Sequence, residues 1–218
     1  MSADATATLR VGPAGWSYDD WEGIVYPVRK PKGFHPLHLL SRLFNALEIN
    51  VSFYRKPDPR HAEKWASLVD GRDFEFTYKM WQGFTHEYRR EKPTRRDARE
   101  FLDGVAPIRD AGRLGGFLVQ FPLSFDAKPA NLDHLARFPA NFPGIPLYLE
   151  VRHRTWLDRL DDLGRLGFHF VNIDQPVGRA GLPPTEVVLG SRAYVRLHGR
   201  NEKAWFSRSA GRDDKYNY

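Results

Sequence analysis

The sequence predicts an α/β fold with parallel strands, of the TIM-like (β/α) barrel type. Three observations predict it. Short apolar runs alternate with amphipathic stretches, with no hairpin turn chemistry between the core runs. Six of the runs lead into charged or amide residues, and a strand interior that buries a charge loses several kcal/mol unless the charge is paired. Polar groups at the ends of several strands are what such a barrel uses for its site. Neither a glycine-rich GxGxxG nor a P-loop follows the first run, which reads GPAGWS; this argues against a doubly wound nucleotide-binding sheet.

The elements follow in order. Leu9–Gly15 reads as a first strand, and Pro36 as the first turn of a helix with Leu37, Leu40 and Phe44 at helical spacing. Ala46–Phe53 alternates as a second strand. Asp58–Pro59 pairs a cap with a first-turn proline and opens a helix through Val69. Phe74–Met80 is the third strand, and Thr94 with Asp97 forms a capping box ahead of Phe101, Leu102 and Val105. FLVQF (117–121) is the fourth strand, and Leu132, Leu135 and Phe138 mark a short helix. Pro146–Val151 is the fifth strand, and Thr155 opens a helix that Gly167 ends. FHFVNID (168–174) and Ala193–His198 complete seven strands. One domain over 1–218 is expected, as a barrel lacking its last β/α unit.

The chain has 218 residues, 28% of them charged, and no apolar run of spanning length, so no membrane partner is expected. Met1–Thr8 lacks the basic-then-apolar pattern of a secretory signal, which makes a cytoplasmic location the expectation. Zero cysteines exclude disulfides and thiol chemistry. The net charge is +6, and two stretches carry it: His86–Arg99 and Arg196–Tyr218 each hold six Arg or Lys against three acids. Such basicity favours anionic partners.

Side chains alternate along a strand. Glu48 and Asn50 are therefore expected on one face, as are Glu150 and Arg152, Asn172 and Asp174, and Arg196, His198 and Arg200. Glu48, Glu150, Asp174 and His198 are the expected catalytic groups, since paired carboxylates and an imidazole move protons. Lys79, Arg152, Arg196 and Arg200 are expected to hold an anion. Asn50 and Gln120 would orient a substrate, and Trp16, Tyr18 and Tyr54 would stack on its ring. Neither HExxH nor clustered histidines occur, so no metal is expected, and no cofactor is indicated. The expected ligand is a phosphorylated or otherwise anionic, ring-containing small molecule. Nucleic acid is the alternative, through the basic stretch and the Trp16–Trp21 loop, and a non-catalytic binding scaffold is a third reading.

Six segments, VGPAGWSYDDWEGIVYP, ALEINVSFYRKP, FEFTYKMWQGFTH, GGFLVQFP, YLEVRHRTW and YVRLHGRNEKAW, resemble the DUF72, or YecE-like, family in order along the chain. The resemblance implies a TIM-barrel-like fold and no particular reaction. It also implies that Gly15, Trp16, Tyr18, Trp21, Tyr26 and Pro27 belong to an opening motif. Glu48, Asn50, Phe53 and Tyr54 belong to a second. Lys79, Gln120, Glu150, Arg152, Trp156, Arg196, His198 and Gly199 belong to later ones. In that family a further helix and strand follow the segment matching Asp214–Tyr218.

Overall fold

The computed structural model describes residues 7–205, 207, 209 and 211–218. The reading of Met1–Thr8 thus falls mostly outside the described residues, as does part of the basic stretch Arg196–Tyr218. In chain order the elements are α1 (Pro36–Leu43), β1 (Ala46–Ile49), α2 (Val51–Tyr54), α3 (Pro59–Leu68), β2 (Glu75–Lys79), α4 (Tyr88–Glu91), α5 (Arg95–Asp110), β3 (Leu114–Gln120), α6 (Pro129–Leu135), α7 (Phe138–Asn141), β4 (Leu147–Glu150), α8 (Leu160–Arg165), β5 (Phe168–Asp174), β6 (Tyr194–Leu197), α9 (Glu202–Trp205) and α10 (Arg212–Lys215). The strands are parallel with helices between them, which is α/β architecture of the (β/α) barrel type. Among the described residues no helix is long and apolar enough to cross a membrane.

The chain divides into two units, Met1–Trp81 with Arg99–Gly115, and Gln82–Ala98 with Gly116–Tyr218. In the first, β1 pairs with β2 in the register Glu48 to Thr77 and Ile49 to Tyr78. Leu47, Ile49, Phe76 and Tyr78 are buried on one face. Glu48, Thr77 and Lys79 share the other. The helix starts follow the sequence chemistry. Pro36 begins α1 while His35 Nδ1 accepts the Leu37 N–H at 3.2 Å. Asp58 accepts the Arg60 N–H at 2.9 Å ahead of Pro59. A lost cap of this kind costs about 1 kcal/mol.

Leu9–Gly15 does not form the expected strand; it makes one isolated parallel bridge, Ala14 to Glu48. Pro13 explains why. Its carbonyl accepts from Glu48 N at 3.0 Å and Gly15 N donates back to Glu48 O at 2.8 Å. The proline has no N–H to return the next rung toward Ala46. Asn45 makes up part of the loss: its Oδ1 accepts from Val11 N at 2.7 Å and its Nδ2 donates to Leu9 O at 2.9 Å. The second strand is also shorter than expected. It stops at Ile49, and Asn50, at φ −91° and ψ −22°, turns the chain into α2.

In the second unit β3, β4, β5 and β6 pair in that order. Leu118, Tyr148, Val171 and Ile173 bury together, with Tyr194 packed on them. Thr94 and Asp97 form the expected capping box, Asp97 Oδ2 accepting from Thr94 N at 2.8 Å and Thr94 Oγ1 from Asp97 N at 3.4 Å. After β4, His153 rather than Thr155 caps the next turn, its Nδ1 accepting from Thr155 N at 3.4 Å. That turn is a 3-10 helix, Arg154–Arg159, before α8 begins.

Candidate functional site

The polar cluster of the second unit grows directly out of strand alternation. Leu118, Tyr148 and Tyr194 lie on the buried face, so Gln120, Glu150 and Arg196, two residues further along each strand, continue it. The register sets Gln120 directly beside Glu150. Gln120 Nε2 donates to Glu150 Oε1 at 2.7 Å. Arg152, just past β4, donates to the same oxygen from Nε at 3.2 Å and from Nη2 at 3.0 Å. Arg196 Nη1 donates to Glu150 Oε2 at 2.5 Å and lies 3.2 Å from His198 Nε2. A guanidinium only donates, so that imidazole nitrogen accepts and the His198 proton sits on Nδ1.

Glu150 has no exposed surface. Burial by itself would raise its pKa. The charges of Arg196 and Arg152 and the hydrogen bond from Arg196 override burial and bring it down to about 2. A carboxylate held ionised in this way is a poor proton shuttle near neutral pH. The expectation that Glu150 moves a proton is corrected on this ground: its charge holds two guanidiniums in place. The identity of the Gln120 amide atoms follows from the same carboxylate, which accepts only and so must face Nε2. Gln120 Oε1 is left buried with no hydrogen-bond partner among the described residues.

Asp174 does not join this cluster. It follows Ile173 by one position and stands beside Leu197, one position past Arg196, so alternation sends it to the opposite face. There it accepts from Arg200 Nε at 2.8 and 3.1 Å, and Arg200 is exposed. That hydrogen bond holds Asp174 below the usual carboxylate range. Asn172, on the same face, clasps the preceding loop: it donates to Val187 O at 2.9 Å and accepts from Thr185 Oγ1 at 2.7 Å and Val187 N at 2.9 Å. The expectation that Asn172 and Asp174 point toward the polar cluster is therefore wrong by one residue of phase.

His198 and Arg200 flank Gly199, which has φ +79°. A side chain there would come within 2.4 Å of the Tyr216 carbonyl carbon. The closeness lets Asn217 O accept from Arg200 N at 2.8 Å and from Asn201 N at 3.2 Å. Trp205 and Tyr216 rings each lie 6.0 Å from the His198 ring.

In the first unit Glu48 is buried and shares its face with Lys79, whose Nζ lies 4.3 Å from the Phe53 ring centre. Asn50 has left the strand, and its Oδ1 is buried with no hydrogen-bond partner among the described residues. Trp16 packs edge-on against Trp65 at 5.0 Å, and its carbonyl accepts from Tyr26 Oη at 2.8 Å. Burial pushes that Tyr26 hydroxyl up to about 12. Tyr18 donates to Ala14 O and lies against Trp21 at 5.0 Å. Tyr54 is exposed, edge-on to Phe53. All three expected stacking aromatics thus already pack on protein rings, and Tyr54 is the exposed one.

One group was missed. His134 reads from sequence as an ordinary helix residue, yet it is buried, with Nε2 2.8 Å from Phe84 O and its ring stacked 3.9 Å from Tyr88. The available signal was its position three residues after Asn131 on the side of α6 that buries Leu135.

Comparison with known proteins agrees with this architecture. The UPF0759 protein YunF of Bacillus subtilis (strain 168) is 29% identical over 218 residues, covering 94% of this chain and 75% of that one. A DUF72 family crystal structure from Thermotoga maritima is similar with a TM-score of 0.77 and 29% identity, over 92% of this chain and 78% of that one. Another, from Enterococcus faecalis V583, has a TM-score of 0.80 at 22% identity, over 94% of this chain and 76% of that one, and speaks for the fold alone. The family model described as "Protein of unknown function DUF72" matches residues 10–218, and the chain belongs to that family.

Proposed function

We propose that the strand ends of the second unit bind a small molecule carrying an anionic group and a hydroxyl, such as a phosphorylated sugar. The observation that carries this reading is the pair of arginines gathered at the strand ends around a buried carboxylate. Two guanidiniums, Arg152 and Arg196, converge on the Glu150 carboxylate at a largely water-excluded position. An anion in such a place gains charge-assisted hydrogen bonds. Arg152 is the approachable member, with 23% of its side chain exposed. Gln120 Oε1 adds a buried acceptor in need of a donor, which a ligand hydroxyl supplies. His198, with a proton on Nδ1, is the proposed proton-moving group.

Titration calorimetry with glucose 6-phosphate, glucose and inorganic phosphate tests the binding. The phosphorylated sugar should bind more tightly than either half. Arg152→Met should weaken it by at least about tenfold, the size of a lost charged hydrogen bond. The reading fails if none of the three binds at millimolar concentration, or if Arg152→Met changes nothing. Once a turnover is found, His198→Gln should lower kcat more than it raises KM.

Nucleic-acid binding draws less support from the basic stretch His86–Arg99. Arg90 pairs with Glu87 and with Glu91, and Arg89 donates to Asn131 at 3.1 Å. Cations already paired within the fold have less to gain from a phosphate backbone.

A further inference from the structure

A separate cavity of about 170 Å³ lies in the second unit, away from Glu150 and its arginines. Its walls are aromatic: Phe84, Tyr88, Phe138 and Phe142. These rings belong to a larger stack, with Phe84 and Phe142 edge-on at 5.5 Å and Phe138 and Phe142 at 6.1 Å. A void of this size among apolar side chains is enough for a benzene ring. The rim is cationic, with Lys92 and Arg137 both exposed and no acidic residue in the lining. Lys92 is also the one non-glycine residue at positive φ among the described residues, at φ +46°. That left-handed turn ends α4 and takes the chain along the rim into Pro93.

The wall also carries polar groups: the Tyr88 hydroxyl, Asn141 and the buried His134. The His134 Nε2 meets the Phe84 carbonyl at 2.8 Å, so Nε2 bears the proton and Nδ1 is the free acceptor. Burial, with the nearby charges of Arg137 and Arg89, lowers its pKa, against the opposing pull of the Phe84 carbonyl. A neutral imidazole adds no charge to the wall.

We propose that this cavity is a binding site for a small aromatic carboxylate, its ring between Tyr88 and Phe138 and its carboxylate at Arg137 and Lys92. The site shares no residue with the one proposed above, so each can fail without the other.

The probe is benzoate, followed by the amide spectrum of the full chain and by the His134 and Tyr88 side-chain resonances, with benzyl alcohol as the uncharged control. Benzoate should shift the His134 and Tyr88 signals in a saturable way and bind at least about tenfold more tightly than benzyl alcohol. Arg137→Glu, a change at an exposed position, should weaken benzoate by a similar factor and leave benzyl alcohol unaffected. Arg152→Met should leave benzoate binding here unchanged. The proposal is overturned if benzoate leaves both side chains unmoved at 10 mM (roughly the weakest affinity a ligand this small would be given). It is overturned equally if Arg137→Glu binds benzoate as the native chain does, or if Arg152→Met abolishes the effect.

Discussion

Two acid–arginine pairs stand at the ends of neighbouring strands of the second unit and do different work. Glu150, at the end of β4, is fully buried and meets two guanidiniums and an amide. Asp174, at the end of β5, meets Arg200 at the surface. Both look alike in sequence, as a carboxylate at the end of an apolar run with an arginine nearby. One residue of strand phase separates them. The buried pair is bound to the fold, since removing either partner strands a charge in a water-poor place. The exposed pair competes with water and gains little.

The sharpest way to break this contrast is Glu150→Gln. It should cost about 3–5 kcal/mol in urea unfolding, because the buried Arg196 and the partly exposed Arg152 both lose the Glu150 charge. A loss below about 1 kcal/mol would mean that the arginines relax outward and the contrast is false. Acid offers a second test without mutation. The folded-state pKa of Glu150 lies below its unfolded value, so its contribution is complete above about 4.5 and disappears as pH falls toward about 2. The native chain should lose stability through that window, and Glu150→Gln should lose measurably less.

A smaller effect is expected from Asn172→Ala, on the Asp174 face. The Thr185–Val187 loop loses three hydrogen bonds, for about 1–3 kcal/mol, and amide exchange at Val187 should quicken. Asp174→Asn should be smallest of all, with a Tm indistinguishable from that of the native chain. A clear drop there would show that the surface pair is part of the structural frame after all.

Much of the fold was legible because local chemistry and tertiary packing agree. Pro36, Asp58 with Pro59, and Thr94 with Asp97 start helices where their backbone chemistry says they should. Six of the seven expected strands are present within a few residues of their expected ends. The seventh, Leu9–Gly15, was lost to one missing N–H at Pro13, which an apolar pattern does not reveal. Asn50 was misplaced because ALEINVSF alternates well past the point where the backbone turns helical. At the site, Gln120, Glu150 and Arg196 fell on one face as alternation requires. Asp174 did not, because phase within a strand says nothing of register with its neighbour. His134 was invisible because its partners, Phe84 and Tyr88, lie about fifty residues earlier.

The meeting of Gly199 with Tyr216 has a consequence for how His198 is reached. Two backbone bonds to Asn217 and a pair of aromatic rings hold the terminal stretch against the histidine. A local latch of this kind opens at a lower free energy than the whole fold melts. Solvent should thus reach the imidazole by brief unlatching, and deuterium uptake at the Arg200 and Asn201 amides would clock how often it happens.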